Sequence, residues 1–263
     1  MGEVALGIVG FGCGGEEISK GYVMKSSVII PVYNEEKTIS EILRQVKRAK
    51  LPRGWEKEIV VVDDGSTDSS KCKVQSAKLE FKIKNLKLLR HKKNRGKGAA
   101  VNTGLKQATG EVVVIQDADL EYSPEDYERL LRPIIAGEAE VVYGSRLASL
   151  PLKLWGRGKT PLVWHYVGNK LLTKLTNLIY GATLTDMETC YKMMKRRVFT
   201  GMKLNSRGFG MEPELTAKLL KRGYRIVEVP IKVKPRGYEE GKKIHWWHGL
   251  EAVWTLIKYK VVD

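Results

Sequence analysis

The sequence predicts an α/β protein built on a mostly parallel sheet that is flanked by helices. Over the first half of the chain, short apolar runs typical of buried strands alternate with segments of helical periodicity. Two of these runs end on acids: residues 112–115 lead to Asp117 and Asp119, and residues 58–62 lead to Asp63. In open α/β sheets, ligands bind beyond the carboxyl ends of the strands. We therefore expect a ligand-binding crevice lined by carboxylates.

The first five strands alternate with four helices. Strands are predicted where apolar residues run together, at 27–32, 58–62, 86–89, 111–116 and 140–143. Apolar residues three and four apart predict helices at 35–48, 67–79, 98–107 and 124–135. Pro124 stands in a first helical turn, where proline is tolerated. This alternation predicts parallel strands joined by right-handed crossovers.

The rhythm changes after Gly144. Residues 147–160 include two glycines and a proline, which predict a mobile loop. Helices are then predicted at 161–180, 214–222 and 244–259, and strands at 188–194 and 225–231. We expect residues 1–24 to be an extension outside the fold, 25–243 to form the α/β domain, and 244–263 to form a C-terminal amphipathic helix.

Composition narrows the class of protein. The formal net charge of +16 implies an anionic partner: nucleic acid, a phosphorylated ligand or an anionic membrane surface. The three cysteines lack metal-ligand spacing, which favours reduced thiols in a cytoplasmic protein. No apolar run approaches the roughly 18–20 residues that span a bilayer.

A glycine-rich pattern at residues 10–15 matches the dinucleotide-binding motif G-x-G-x-x-G. That motif functions only when a helix and a second strand follow it directly. Residues 16–22 are too few for such a crossover before the strand at 27. We therefore interpret the pattern as part of the N-terminal extension.

The acids that follow residue 116 are candidate metal ligands. Asp117 and Asp119 offer the carboxylate oxygens that hard divalent cations prefer, and Glu121 would point to the same side as Asp119 in an extended chain. A cation there would neutralise the diphosphate of a nucleotide. The alternative is a solvated loop whose acids cap the next helix.

Four motifs, in order, resemble the signature of family 2 glycosyltransferases. They are IIPVYNE at 29–35, DDGSTD at 63–68, RGKGAA at 95–100 and DAD at 117–119. Three later motifs resemble those of dolichyl-phosphate mannose and glucose synthases, which are polyprenyl-phosphate hexosyltransferases. These are GSR at 144–146, TDMETCYK at 185–192 and GFGMEPE at 208–214. The resemblance extends from about Lys25 to the C-terminus and implies a GT-A fold with a Rossmann-like sheet.

The resemblance assigns residues to the donor. Those implied to surround the base and ribose of a nucleotide sugar are Pro31, Tyr33, Glu35 and Asp63. Glu35 is equally suited to the first turn of a helix, and both roles can hold together. The implied ligands of Mg²⁺ or Mn²⁺ are Asp117, Asp119 and Glu121, with Asp117 also counted among the donor-binding residues. Lys97 is assigned to the donor as well, although a solvated basic face is an even alternative.

The acceptor side depends on arginines. Arg146 resembles the family arginine that binds a lipid phosphate, and its planar fork suits bidentate contact. Arg207 is a weaker candidate for the same phosphate, whereas we interpret Arg157 as surface charge. Asp186 is a candidate to orient the acceptor or the sugar, with a turn-capping residue as the even alternative.

Together these assignments imply inverting transfer of a hexose from a nucleotide sugar, with GDP-mannose favoured, to dolichyl or polyprenyl phosphate. The implied catalytic residues are Asp119, Arg146 and Asp186. One alternative is a polyprenyl-phosphate glucosyltransferase that uses UDP-glucose. Another is a family 2 enzyme acting on a soluble saccharide, which needs a general base. A nucleic-acid-binding protein is disfavoured because the lysines of residues 71–97 lack interleaved aromatic residues.

A lipid acceptor implies a protein at the cytoplasmic face of a membrane, bound to the membrane surface or to a membrane-integral partner. The predicted helix at 244–259 combines tryptophans with basic residues, which suits an interfacial helix. The alternative is packing of the same apolar residues against the α/β domain.

Overall fold

A computed structural model describes residues 23–148, 163–206, 208, 210–234 and 247–262. The strands are β1 (Met24–Val32), β2 (Trp55–Asp63), β3 (Leu86–Arg90), β4 (Val112–Ile115), β5 (Val141–Ser145), β6 (Lys192–Lys195) and β7 (Ile226–Pro230). The helices are α1 (Ile39–Arg48), α2 (Ser70–Glu80), α3 (Lys97–Gln107), α4 (Tyr127–Ile135), α5 (Val163–Tyr180), α6 (Met211–Lys221) and α7 (Trp247–Val261). The strands form one sheet in the order β3-β2-β1-β4-β6-β5-β7.

The mostly parallel sheet is confirmed, with one exception. β6 lies between β4 and β5 and runs antiparallel to both, pairing Met194 with Val113 and Met193 with Val142. The strand predicted at 188–194 begins only at Lys192, because the residues before it form polar contacts: the Thr189 hydroxyl, for example, donates a hydrogen bond to the Gly144 carbonyl.

Helix α1 begins four residues later than its apolar pattern predicts. The preceding residues bind the loop after β2: the Asn34 amide donates to Ser66 Oγ at 3.1 Å, and the Glu36 amide donates to Asp68 Oδ2 at 3.1 Å. Side-chain contacts of this kind compete with helical hydrogen bonds. Pro124 begins a 3-10 turn that precedes α4. The motif at 10–15 and residues 149–160 of the predicted loop lie outside the described residues.

The central strands are buried on both faces. Along β1, Val28 and Ile30 face one apolar cluster with α1, α2 and α4, whereas Ile29 faces a second cluster with α3 and α6. Because side chains alternate across a strand, a sheet covered on both faces needs a continuous apolar run. This explains why the strand residues could be identified from sequence.

Helix α7 packs against the rest of the fold. Its buried residues are Ala252, Thr255, Leu256 and Tyr259. The Tyr180 hydroxyl of α5 donates a hydrogen bond to the Leu256 carbonyl at 2.7 Å, and Lys218 of α6 lies over the Tyr259 ring. One face of α7 therefore packs against the α/β domain, which was one of the two alternatives predicted for this helix. In the described part of the chain, no helix has the length and apolar character needed to cross a membrane.

A buried acid joins three segments at the amino ends of the strands. Glu58 of β2 accepts hydrogen bonds from Ser27 Oγ at 2.6 Å and from the Thr109 amide at 2.8 Å, and it lies 2.6 Å from Lys87 Nζ. Burial would raise the pKa of Glu58, yet the contacts with Lys87, Ser27 and Thr109 outweigh it and lower the pKa to about 2.

Replacing Glu58 with glutamine is expected to lower the free energy of unfolding at pH 7 by roughly 2 kcal/mol, allowing for solvent screening. Because the pKa of Glu58 is lower in the folded state, its stabilisation is present above the unfolded pKa of 4.5 and is lost as the pH falls towards 2. Urea unfolding at several pH values measures the difference. A constant difference between pH 7 and pH 3 would contradict the ionic role of Glu58.

Candidate active site

The carboxyl edge of the sheet brings the predicted site residues together. β1 and β2 end in register there, with Val32 opposite Asp63, and β4 and β5 end at the same edge. β6 runs the other way, so it begins at this edge, where Lys192 pairs with Tyr143. The segment that precedes β6 therefore lies beside the ends of β4 and β5.

Asp63 lies at the end of β2, and one of its carboxylate oxygens accepts a backbone hydrogen bond. Its Oδ1 atom accepts a hydrogen bond from the Ser66 amide at 2.8 Å. Arg90 Nε is 3.1 Å from Oδ2, but it is not aligned for a hydrogen bond, and this buried oxygen has no hydrogen-bond partner among the described residues. Gly65 permits the tight turn that follows, because φ is +76° and a Cβ atom would lie 2.6 Å from the Lys93 carbonyl carbon.

The loop after β1 is tied to the loop after β2. Asn34 Oδ1 accepts a hydrogen bond from the Thr67 amide at 2.9 Å, and the Glu35 amide donates to Ser70 Oγ at 2.9 Å. The Glu35 carboxylate accepts from Thr38 Oγ1 at 2.9 Å, as expected of an acid just before a helix. These contacts place Pro31, Tyr33 and Glu35 near Asp63, and the Tyr33 side chain is exposed.

Asp64 organises the start of α3. Its carboxylate accepts hydrogen bonds from the Arg95 amide at 3.0 Å and the Gly96 amide at 2.7 Å, and it contacts His91 Nδ1 at 2.6 Å. A protein carboxylate therefore engages the amides that lead into this helix. Of the basic residues in this region, Lys92, Lys93 and Arg95 are exposed, whereas Lys97 is turned inward.

Lys97 joins two carboxylates from different elements. Its Nζ atom is 2.7 Å from Asp117 Oδ1 and 2.6 Å from Glu212 Oε1, at the start of α6. Burial would lower the pKa of Lys97, but the Asp117 and Glu212 carboxylates outweigh it and raise the pKa well above its usual value. Burial, with Asp117, raises the pKa of the Cys190 thiol. No role was predicted for Glu212 from sequence, although it stands in the motif at 208–214.

The arrangement of Asp119 and Glu121 differs from an extended chain. Leu120 between them has φ of 66°, and the Glu121 amide donates to Asp119 Oδ1 at 3.1 Å. Within the described residues, no group of three or more His, Cys, Asp or Glu side chains is arranged to hold a metal ion. These acids thus form no complete protein cage. Carboxylates nevertheless fit Mg²⁺ or Mn²⁺, which are commonly held by one or two of them together with nucleotide phosphates.

Arg146 and Asp186 form a bidentate ion pair. Arg146 Nε donates to Asp186 Oδ2 at 2.7 Å, Nη2 donates to Oδ1 at 2.6 Å, and the Arg146 amide also donates to Oδ2 at 2.8 Å. Asp186 is fully buried, and its turn is fixed by Glu228 of β7, which accepts from the Thr185 and Asp186 amides. The Arg146 side chain remains 18% exposed. Burial would lower the pKa of Arg146, but Asp186 outweighs it and raises the pKa.

Two further titratable residues, Glu188 and Lys192, lie near this ion pair and were not foreseen. Burial, followed by the nearby Glu212 carboxylate, raises the pKa of Glu188, whose buried Oε1 atom has no hydrogen-bond partner in the described part of the chain. Burial lowers the pKa of Lys192, whose Nζ atom donates to the Met187 carbonyl at 2.8 Å and lies 3.8 Å from the centre of the Tyr143 ring. Their place in the motif at 185–192 was the available signal. Arg157 and Arg207 lie outside the described residues.

Comparisons with known proteins agree with this fold and show the family. The model of glycosyl transferase family 2 matches residues 27–201. A dolichol-phosphate mannosyltransferase of Pyrococcus furiosus is 31% identical over 90% of this chain, which spans 65% of that relative's length. A low-salt glycan biosynthesis hexosyltransferase of Haloferax volcanii is 30% identical over 80% of the chain and 48% of its own length.

Solved structures share the fold. Glucosyl-3-phosphoglycerate synthase of Mycobacterium tuberculosis, in complex with Mn²⁺, UDP and glucosyl-3-phosphoglycerate, superimposes with a TM-score of 0.66. The match covers 91% of this chain and 81% of the synthase, at 19% sequence identity. With the family match over residues 27–201, the carboxyl-edge site and this GT-A-like sheet, the chain belongs to glycosyl transferase family 2.

Proposed function

We propose that the protein transfers a hexose from a nucleotide sugar to dolichyl or polyprenyl phosphate with inversion at the anomeric carbon. The donor we favour is GDP-mannose. The observation that carries this proposal is the bidentate pair of Arg146 and Asp186, which holds a guanidinium at the same sheet edge as Asp117 and Asp119. The guanidinium suits one phosphate directly, and the carboxylates suit the phosphates of the other substrate through a divalent cation.

The donor would lie over the ends of β1, β2 and β4. The Asp63 Oδ2 atom lies near Arg90 but accepts no hydrogen bond from the described residues, so it is suited to accept one from a ribose hydroxyl or a base edge. Tyr33 and Glu35 lie in the adjoining loop. One or two of the acids Asp117, Asp119 and Glu121 would hold Mg²⁺ or Mn²⁺ together with the diphosphate, with Lys97 adding positive charge. When bound, the cation would stabilise the negative charge of the departing nucleoside diphosphate.

The acceptor phosphate would bind Arg146. Asp186 engages Nε and Nη2, so Asp186 fixes the orientation of the guanidinium and leaves its remaining N–H groups for a ligand. In this arrangement Asp186 is a positioning residue and not a base, because both its oxygens are already bound to Arg146. The raised pKa of Arg146 keeps the cation fully charged.

The proposed chemistry needs no strong base. A phosphate monoester is largely dianionic at pH 7, since its second pKa is about 6. One of its oxygens attacks the anomeric carbon while the bond to the nucleoside diphosphate breaks. The task of the protein is then to align the two substrates and to offset their charge. A single displacement of this kind inverts the linkage.

A soluble saccharide is the second candidate acceptor. It ranks second because a sugar hydroxyl, unlike a phosphate, needs a general base to attack. Glu188 is suited to that role by its raised pKa and its unpartnered Oε1 atom. The donor is also open to a second choice. UDP-glucose remains the alternative to GDP-mannose, and the structurally similar mycobacterial synthase was solved with UDP-glucose and with UDP.

A matrix of radiolabelled donors and acceptors tests the proposal. GDP-mannose and UDP-glucose are each incubated with polyprenyl phosphate, polyprenol or a soluble saccharide, with and without Mg²⁺ or Mn²⁺. We expect cation-dependent label in the organic phase from GDP-mannose and polyprenyl phosphate, and none with polyprenol. Label recovered only in soluble saccharide, and abolished by Glu188→Gln, would contradict the proposal and support the second candidate.

A further inference from the structure

Two helices carry exposed apolar stripes on their solvent faces. Among the described residues, fourteen large hydrophobic side chains are exposed; four lie on α5 and five on α7, nine in all. On α5 they are Trp164, Val167, Leu171 and Leu178. On α7 they are Trp247, Leu250, Trp254, Ile257 and Val261. At 3.6 residues per turn, each set falls within a sector about 80° wide or narrower.

The two stripes lie on neighbouring helices. Tyr180 of α5 donates a hydrogen bond to the Leu256 carbonyl of α7 at 2.7 Å, and Lys260 lies over the Tyr180 ring. The faces opposite the stripes are buried, by Thr173 and Thr176 on α5 and by residues such as Leu256 on α7. The fold therefore covers the inner face of each helix and leaves the apolar outer face exposed. Exposed apolar faces of this kind mark a surface that contacts another protein or a membrane.

The charges on these helices favour an anionic partner. α5 contains no acidic residue. The one acid of α7, Glu251, turns inward and accepts a hydrogen bond from the Gly210 amide at 3.3 Å. Lys174 interrupts the α5 stripe, while Lys258 flanks the α7 stripe, and both are exposed. Lysines beside tryptophan and aliphatic residues are typical of helices that lie in the interface of an anionic bilayer.

The same helices adjoin the proposed acceptor site. The Met187 amide, one residue after Asp186, donates to Thr173 Oγ1 of α5 at 3.1 Å. Asn177 of α5 holds the same segment by accepting from the Leu184 amide at 2.9 Å. The outer surface of α5 is therefore separated from the Arg146 and Asp186 pair by the thickness of one helix.

We propose that the outer faces of α5 and α7 form one docking surface for an anionic lipid bilayer. The three exposed tryptophans and the aliphatic residues enter the interface, and the lysines contact lipid phosphates. The purpose of this docking rests on the proposed function, since a lipid-linked acceptor has to reach Arg146. The docking itself requires neither donor nor acceptor.

Co-sedimentation with vesicles of neutral phosphatidylcholine, with or without anionic phosphatidylglycerol, tests the surface in the absence of substrates. The full chain is expected to bind the anionic vesicles. A double variant, Leu171→Glu with Leu250→Glu, is expected to weaken binding by at least about tenfold, because it places acids in the apolar stripes. The matched control is Leu79→Glu on α2, where the leucine is 79% exposed; it is expected to bind as the wild type does. Circular dichroism checks that each variant is folded.

Several results would overturn this surface. They are wild-type binding by the double variant, equal loss in Leu79→Glu, or equal binding to neutral and anionic vesicles. Another is a wild-type chain that binds no vesicles but forms a dimer, which the double variant dissociates. The stripes would then join two copies of this chain.

The two proposals can fail separately. Vesicle binding without hexose transfer would contradict only the proposed function, and transfer to a detergent-dispersed acceptor without vesicle binding would contradict only the surface.

Discussion

An Asp119→Asn variant is expected to transfer the hexose about 10²–10³ times more slowly than the wild type. This is the usual scale for removing one group that stabilises transition-state charge. Asparagine keeps the shape of the side chain and an oxygen that can accept from the Glu121 amide, so the local turn should persist. What is lost is the negative charge that we propose to hold the cation. Initial rates at saturating Mg²⁺ or Mn²⁺ give the effect.

A matched control separates this role from a general loss of negative charge. Glu125 is an exposed acid in the 3-10 turn that follows, and Glu125→Gln removes the same charge a short distance away. We expect its rate to equal that of the wild type. Equilibrium dialysis of Mn²⁺ with a nucleoside diphosphate gives a readout other than activity, and undiminished Mn²⁺ retention by Asp119→Asn would remove Asp119 from the metal site.

Loss of Arg146 is expected to affect both stability and acceptor use. Arg146→Ala leaves the fully buried Asp186 carboxylate without its partner, which costs about 3–5 kcal/mol when one member of a buried pair is removed. That corresponds to a fall in melting temperature of roughly 10 °C. Low activity in this variant alone would therefore not distinguish a phosphate ligand from a structural residue.

The double variant Arg146→Met with Asp186→Asn makes this distinction. Removing both charges should recover much of the lost stability, because neither ion is left buried alone. If Arg146 binds the lipid phosphate, the folded double variant will still show a kcat/KM for that acceptor lowered by about 10² or more, the scale of a lost charge-assisted contact. Recovery of acceptor use together with stability would make the pair purely structural.

The strand ends were predictable from sequence because the central strands are apolar on both faces. A run such as residues 112–115 has few alternatives to a buried strand, and its abrupt end located Asp117 and Asp119 at the sheet edge. The direction of β6 was not predictable in this way. Its four residues carry no periodicity that separates a parallel from an antiparallel neighbour, and its position between β4 and β5 depends on contacts distant in sequence.

The partners of charged residues could not be predicted from the sequence either. Lys97 stands in a basic stretch with Lys92 and Lys93, yet it alone is turned inward, because the start of α6 brings Glu212 within 2.6 Å of it. The role of Asp64 depends likewise on the fold, since its carboxylate binds the start of α3 only when β2 and α3 are adjacent. Such pairings follow from tertiary contacts, which motif order does not specify.

The reversed strand β6 has a consequence for how the chain folds during synthesis. β1 to β4 can pair as soon as they leave the ribosome. Among the strands that the structure describes, β5 pairs with β6 and β7 alone, and these are made much later. Until β6 is inserted, the edge of β4 stays open and β5 lacks a neighbour, a state that is slow to resolve and exposed to aggregation. The half carrying Asp63 and Asp117 can therefore form first, and the half carrying Arg146 joins it only when β6 arrives.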